Sequence, residues 1–288
     1  MEKKIVITAD SSADLPVGIR EELGLHYMRI PITLEGKTGL DGVDIFPMDI
    51  YEAFKARGAI PKTAAPSPTE YKEFFEGFTA QGAAVVHIAI SSKLSSCHNF
   101  ACMGAEDAQG EVIVVDSRNF CIGQGLLCML AARLRDKGLP AAELAAQLET
   151  ERLKIKSSYY LHGLDFISKS GRVPSVVAMG ATLLNLHPTI SVDTEKGEVV
   201  IGKKYRGKNA PETWLRDNAA KFVADCDSAL CIYGHTPEIA AEQAGPMDAM
   251  AQELLGGFGQ MIFISDELGC TVISHVGGGC YGMAGIEQ

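Results

Sequence analysis

The chain has 288 residues, of which 47% are hydrophobic and 22% charged, the make-up of a packed globular protein, and this excludes disorder. The length suits two ordinary domains or one large α/β domain. A net charge of −10 excludes the concentrated positive surface that a nucleic acid needs, so no nucleic-acid partner is expected.

In chain order, strand-like runs alternate with helical patterns. "KIVITAD", "LHYMRIPITL", "AAVVHIAI" and "EVIVVDS" are apolar and short, and "PMDIYEAFKARG", "SPTEYKEFFEGFTAQG" and "SCHNFACMGAEDAQG" lie between them. Such an alternation predicts a parallel sheet covered by helices on both faces. Two helical segments follow, "LLCMLAARLRDKG" and "LPAAELAAQLETERLKIK", with Gly138 and Pro140 marking the break. Beyond them, "SSYYLHGL" and "HPTISVDTEKGEVVIGKKYRG" read as strands, the second a hairpin turning at Glu195-Lys196-Gly197. "PETWLRDNAAKFVAD" and "PEIAAEQAGPMDAMAQELLGG" read as helices, and "SALCIYGH" and "QMIFISD" as further strands. The fold class expected is α/β, in two α/β domains. A soft boundary near residue 160 gives an N-terminal domain over 1–160, completed by the C-terminal strand 280–288, and a C-terminal domain over 161–279.

The start, "MEKKIVITADSSADLP", has neither the apolar core nor the small-residue cleavage site of a signal peptide, and no apolar run approaches the roughly 20 residues that span a bilayer. A cytoplasmic protein is expected, with no more than transient membrane contact. The eight cysteines show no two-residue spacing and sit mostly in apolar segments, as small buried hydrophobes in a reducing compartment do. The seven histidines form no H-E-x-x-H pair, so no metal site is expected.

Four stretches next to strands or helices carry small polar groups: "ADSSADLP", "KTAAPSP", "SSKLSSCHN" and "VDSRNFCIGQG". Ser11, Ser67, Ser95 and Ser117 each read as a helix cap when taken alone. Gathered at the carboxyl edge of one sheet they read as an anion site. No Walker sequence and no dinucleotide fingerprint is present, so a nucleotide is not indicated, whereas a carboxylate is satisfied by two or three donors.

The segments "ITADSSADLP", "KTAAPSP", "ISSKLSS", "VVDSRNFCIGQG", "LDFISKSGRVP", "LLNLHPTI", "GKKYRG" and "SHVGGGCYGMA" resemble, in order and spacing, the DegV family, whose members include the fatty-acid-binding subunits of bacterial fatty acid kinase. The resemblance spans Lys4 to Ile286. It implies a long-chain fatty acid held in a buried tunnel at or near the domain interface, with no cofactor and no chemistry by the chain alone. A separate kinase catalytic subunit would turn the carboxyl group into an acyl phosphate. By the same resemblance Thr63, Ser95 and His275 meet the carboxyl group, with Ser96 beside them, while Arg172 and Arg206 face the partner or its phosphate. The chain departs from the family's common pattern at Ala64-Ala65, at Ser96-Cys97-His98 and at Gly278. Tunnel walls are expected from "SVVAMGATLLNLHP" and "CIGQGLLCML", both of which also read as core helices. The alternative function is an acyl hydrolase with Ser95 or Ser92 as nucleophile, His275 as base and Asp10 or Asp116 as orienter, although no G-x-S-x-G elbow is present.

Overall fold

The computed structural model describes residues 3–173, 186–235, 241–257, 262–264 and 268–288. Its first sheet has four parallel strands: β1 (Ile5–Asp10), β2 (Leu25–Met28), β6 (Ala84–Ala89) and β7 (Glu111–Asp116), in the order β2-β1-β6-β7. Every residue of β6 is buried, so helices cover both of its faces, as the unbroken apolar run requires. Helices α3 (Pro68–Thr79) and α4 (Cys97–Asp107) pack on each other and on β6 and β7; α5 (Cys121–Asp136) and α6 (Ala141–Glu151) form a second pair on the same sheet. Helix α3 starts where it does because Ser67 and Glu70 cap it reciprocally and Pro68 opens its first turn.

A small antiparallel sheet joins β3 (Pro31–Leu34), β4 (Lys37–Leu40) and β5 (Lys62–Thr63), and α2 (Pro47–Arg57) lies between β4 and β5 in the chain. The run 25–34, read from the sequence as one strand, is therefore two strands in different sheets. Pro31 has no N–H for a ladder, and the chain turns before it: the Ile30 amide donates to the Ser11 hydroxyl and its carbonyl accepts from Asp41. The short α1 (Val17–Leu23) links β1 to β2.

The second large sheet has six strands: β8 (Ile155–Tyr160), β9 (Leu186–Asp193), β10 (Glu198–Arg206), β11 (Cys226–His235), β12 (Ile262–Ile264) and β13 (Tyr281–Glu287), ordered β10-β9-β8-β13-β11-β12. The predicted hairpin is present, with the Lys196 and Gly197 amides donating to the Asp193 carbonyl. Strand β13, expected to complete the N-terminal unit, instead runs antiparallel between β8 and β11. Its Tyr281, Met283 and Ile286 side chains are buried there, and β8, placed before the expected boundary, belongs to the same sheet. Helices α8 (Ala210–Asp225) and α9 (Ala241–Leu255) pack on one another, and α8 also packs on this sheet.

Helix α5 joins the two large sheets, since it packs on β1 and β6 and also on β8, β11 and β13. Gly125 permits this: a Cβ there would sit 2.6 Å from the Ala13 carbonyl oxygen. One apolar cluster runs from Ile7 and Val86 through Leu127 to Tyr159, Ile190 and Ile286, so both sheets share a core. Two further helices, α7 (Asp165–Ser170) and α10 (Cys270–Val276), pack on each other, and α10 also contacts α2 and β5. Among the described residues no helix is long and apolar enough to cross a membrane.

Candidate functional site

Strand order in the parallel sheet reverses between β1 and β6, and a crevice forms outside the carboxyl ends of such strands. Asp10, the last residue of β1, ties that edge together: one carboxylate oxygen accepts from the Ile90 amide at 2.8 Å and the other from the Tyr71 hydroxyl. Above this edge lies a cavity of about 380 Å³, within the roughly 300–1,000 Å³ usual for small-molecule sites. Its inner wall is apolar and comes from both sheets: Ile90 and Phe120 after β6 and β7, Ile190 on β9, and Val272 and Val276 on α10 are all buried. Its opening is polar, with exposed Lys93, Ser96, Asn99 and Arg172.

Between wall and opening, Thr63 of β5 meets His275 of α10, with the hydroxyl 2.9 Å from the imidazole Nε2. Burial, and then the neighbouring Arg172 guanidinium, lower the His275 pKa to about 4, so the ring is neutral at pH 7. Its Nδ1 is buried without a hydrogen bond among the described residues. Two buried aspartates hold α10. Asp41 accepts from the Cys270 amide at 3.0 Å, the Thr271 amide at 3.3 Å, the Thr271 hydroxyl at 2.6 Å and the Ser11 hydroxyl at 2.8 Å. Asp14 accepts from the Gly269 amide at 2.8 Å. Side-chain oxygens at these amides satisfy the free donors of the first turn and so fix the helix that carries His275, while burial pushes the Asp14 carboxyl group up.

Ser95 also borders the cavity. Its hydroxyl donates to the Cys97 sulfur at 3.0 Å and accepts from the Cys97 amide at 3.2 Å. Cys97 neighbours Tyr71, whose hydroxyl donates to Asp10, so polar groups run from the cavity wall through Cys97 and Tyr71 to Asp10. Burial, reinforced by Asp10, pushes the Cys97 thiol up to about 12. Beneath it the His87 Nδ1 pairs with the Thr8 hydroxyl at 3.0 Å, and its Nε2 lies 3.4 Å from Asp10.

Thr63, Ser95, Ser96, His275 and Arg172 thus converge on one cavity, which Arg206 does not border. Arg206 ends β10 on an exposed surface. Of the four serines read as caps or donors, three serve structure. Ser67 caps α3, Ser11 bonds Asp41, and the buried Ser117 hydroxyl donates to the Asn119 carbonyl. Within the loop after β6, Ser91 donates to the Gly197 carbonyl and Ser92 to Asp116, while Ser95 and Ser96 border the cavity and the Ser95 hydroxyl bonds its neighbour Cys97. The stretch 121–130 is core: Ile122, Leu126 and Leu127 are fully buried in α5 and do not border the cavity. Of 175–188, residues 175–185 lie outside the described residues and 186–188 begin β9. The sequence reading missed Lys93, Asn99 and Asp41, though Lys93 stands inside the quoted serine cluster. Hydrolase geometry is not formed among the described residues: Ser95 bonds Cys97, His275 bonds Thr63, Asp10 bonds Tyr71 and Ile90, and Asp116 bonds Ser92.

The family model described as "Uncharacterised protein, DegV family" matches residues 4–288. The chain belongs to the DegV family. A DegV domain-containing protein of Clostridium perfringens is 31% identical over 205 residues, covering 71% of this chain and 73% of its own length. One of Deinococcus radiodurans is 28% identical over 284 residues, with 97% of each chain covered. Among solved structures, a DegV family protein of Thermus thermophilus, described by its fatty acid binding, superposes with a TM-score of 0.84 at 26% identity, covering 99% of this chain and 100% of its own. A stearic-acid-binding protein of Eubacterium ventriosum shares the fold, with a TM-score of 0.84 at 22% identity over 100% of this chain and 98% of its own. The α/β architecture is therefore that of DegV structures.

Proposed function

We propose that this DegV protein binds one long-chain fatty acid with its tail in the apolar cavity and its carboxyl group at Thr63, Ser95, Ser96 and His275. It then presents that group to a separate kinase, which forms the acyl phosphate. The observation that carries the proposal is the Thr63–His275 pair, 2.9 Å apart, at the point where an apolar wall gives way to a polar opening. The Thermus relative, at 26% identity, supplies the ligand class.

Energetics favour this orientation. Burying a chain of about 16 carbons gains on the order of 10 kcal/mol at roughly 0.8 kcal/mol per methylene, against which association and ordering costs count. A desolvated carboxylate without partners would forfeit much of that gain, and the hydroxyls and imidazole at the opening supply them. Arg172 at the opening and exposed Arg206 on β10 are assigned to the partner side, where positive charge guides docking and offsets nucleotide phosphate. The chain's two units act as the two walls of the lipid site, and the protein works in the cytoplasm as a carrier, without catalysis of its own.

Mass spectrometry of an organic extract of the purified protein tests this. The expected result is a near-stoichiometric fatty acid of about 16 to 18 carbons, absent from a Thr63→Ala/Ser95→Ala variant. A folded protein that yields no lipid and takes up neither palmitate nor oleate would overturn the proposal.

A further inference from the structure

Two of the cations at the cavity opening, Lys93 and Arg172, have no acidic partner among the described residues. Elsewhere on this acidic chain, which carries 36 acidic residues against 26 basic ones, some exposed cations are paired, as in Lys203 with Asp217 and Arg57 with Glu35. The acid beside the Lys93 loop is already engaged: Asp116 accepts from the Ser92 hydroxyl at 2.7 Å, the Ser92 amide at 3.2 Å and the Arg118 amide at 2.9 Å. Arg172 is fixed by its own guanidinium, which donates to the Ser170 carbonyl at 2.5 Å. Lys93 sits one residue from Ser92 and two from Ser95, and its ammonium has no hydrogen bond among the described residues.

A single carboxylate does not need these charges. Thr63, His275 and Ser95 provide enough neutral hydrogen-bonding groups for a monoanion. Two uncompensated cations further out suit an anion that carries more charge and extends beyond the carboxyl position. On the proposed function, that species is the acyl phosphate. A carboxylate oxygen attacks the γ-phosphorus of a nucleoside triphosphate held by the partner, the new O–P bond forms, the β–γ bridging P–O bond breaks, and the nucleoside diphosphate leaves.

We infer that Lys93, together with Arg172, holds the phosphoryl group of the product, so that the protein binds a phosphorylated acyl head group in preference to the free acid. This rests on the fatty-acid reading of the cavity and adds to it a residue and a charge preference. The phosphoryl group near neutral pH bears about 1.5 to 2 negative charges and three acceptor oxygens, and it gains from each cation where a carboxylate does not reach. Lys93 also lies on the loop that holds Ser95, so docking of the head group and capture of the phosphoryl group share one backbone segment.

The test is competition of palmitate and of hexadecyl phosphate, a stable monoester, against a fluorescent fatty acid bound to the full-length protein. The expected result is tighter binding of hexadecyl phosphate by the wild type, with an advantage that shrinks as salt rises from about 0.05 to 0.5 M. Lys93→Met is expected to reduce hexadecyl phosphate affinity by about five- to tenfold and palmitate affinity by twofold or less, and Lys93→Arg to restore the preference. Equal loss for both ligands, or no advantage in the wild type, overturns the role of Lys93 while leaving fatty-acid binding intact. Failure of both compounds to displace the probe, or of the probe to bind, overturns the fatty-acid reading and this inference with it.

Discussion

The pair most open to a quantitative trial is Thr63 and His275, joined by a 2.9 Å hydrogen bond although they lie 212 positions apart. Thr63→Val keeps the side-chain volume and removes the hydroxyl; His275→Leu removes the ring. Deleting the hydroxyl takes away one hydrogen bond of about 1 kcal/mol, and it leaves the half-buried imidazole with neither nitrogen bonded, since Nδ1 already has no partner among the described residues. If both groups hold one carboxylate, each single change weakens oleate binding by about 1 to 3 kcal/mol, or roughly 5- to 150-fold. The two changes are then coupled, with an interaction energy of about 0.5 to 3 kcal/mol, so the double variant binds little worse than the weaker single one. The assay is displacement of a fluorescent fatty acid by oleate at pH 7.5, with thermal melts to confirm that every variant is folded. Singles within twofold of wild type, or a cycle additive within about 0.3 kcal/mol, would refute the assignment of this pair to the carboxyl group.

Three other outcomes are expected. His275 is lowered to about 4 from an unfolded value near 6.5, so between those values the unfolded chain binds more protons; stability falls as pH drops through that window by up to about 3 kcal/mol, and urea midpoints of His275→Gln against wild type should show a flatter profile. Asp41→Asn replaces an acceptor of four hydrogen bonds with a group that faces amides using its own N–H, and is expected to cost about 2 to 4 kcal/mol in urea unfolding and to weaken oleate binding by displacing α10. Arg206→Ala should leave oleate affinity within twofold, because the residue does not border the cavity, yet slow acyl phosphate formation in a coupled assay with the kinase; unchanged coupled rates would remove it from the partner surface.

The sequence made the large elements readable for a simple reason. Apolar runs such as 83–90 are wholly buried strands bounded by polar punctuation, and Ser67-Pro68 with Glu70 is a complete local start signal for a helix. What escaped was set by distant contacts. The strand after Ala80-Gln81-Gly82 can be read from its own residues, but the break at Pro31 depends on Ser11 and Asp41 drawing Ile30 aside. The three-stranded sheet is short, and its last member, Lys62–Thr63, has only two residues, too few to leave any periodicity. Strand β13 found its place between β8 and β11, where no local signal could put it. The site behaves alike. Family resemblance brought Thr63, Ser95 and His275 forward, whereas local chemistry left cap and ligand readings open, and three of the four candidate caps proved to be structural. Asp41, which locks Cys270 from 229 positions away, stands in the sequence between Leu40 and Gly42 with no local signal of that role.

The departure at Ser96-Cys97-His98 bears on how readily the head group is held. Ser95 gives its proton to a sulfur, and sulfur is a weak acceptor, so turning that hydroxyl toward a ligand oxygen gives up little. An oxygen at the same place would compete more strongly for the proton. The Cys97 amide meanwhile keeps the Ser95 oxygen in position, so the rotor can turn without the side chain moving away. A thiol beside an activated acyl group would ordinarily invite transfer to sulfur, because the thiolate is the attacking species. Here burial and Asp10 hold the thiol at about 12, which leaves almost no thiolate at neutral pH. Cys97 can therefore stand next to the proposed acyl phosphate without capturing the acyl group, while its softness keeps the Ser95 donor available.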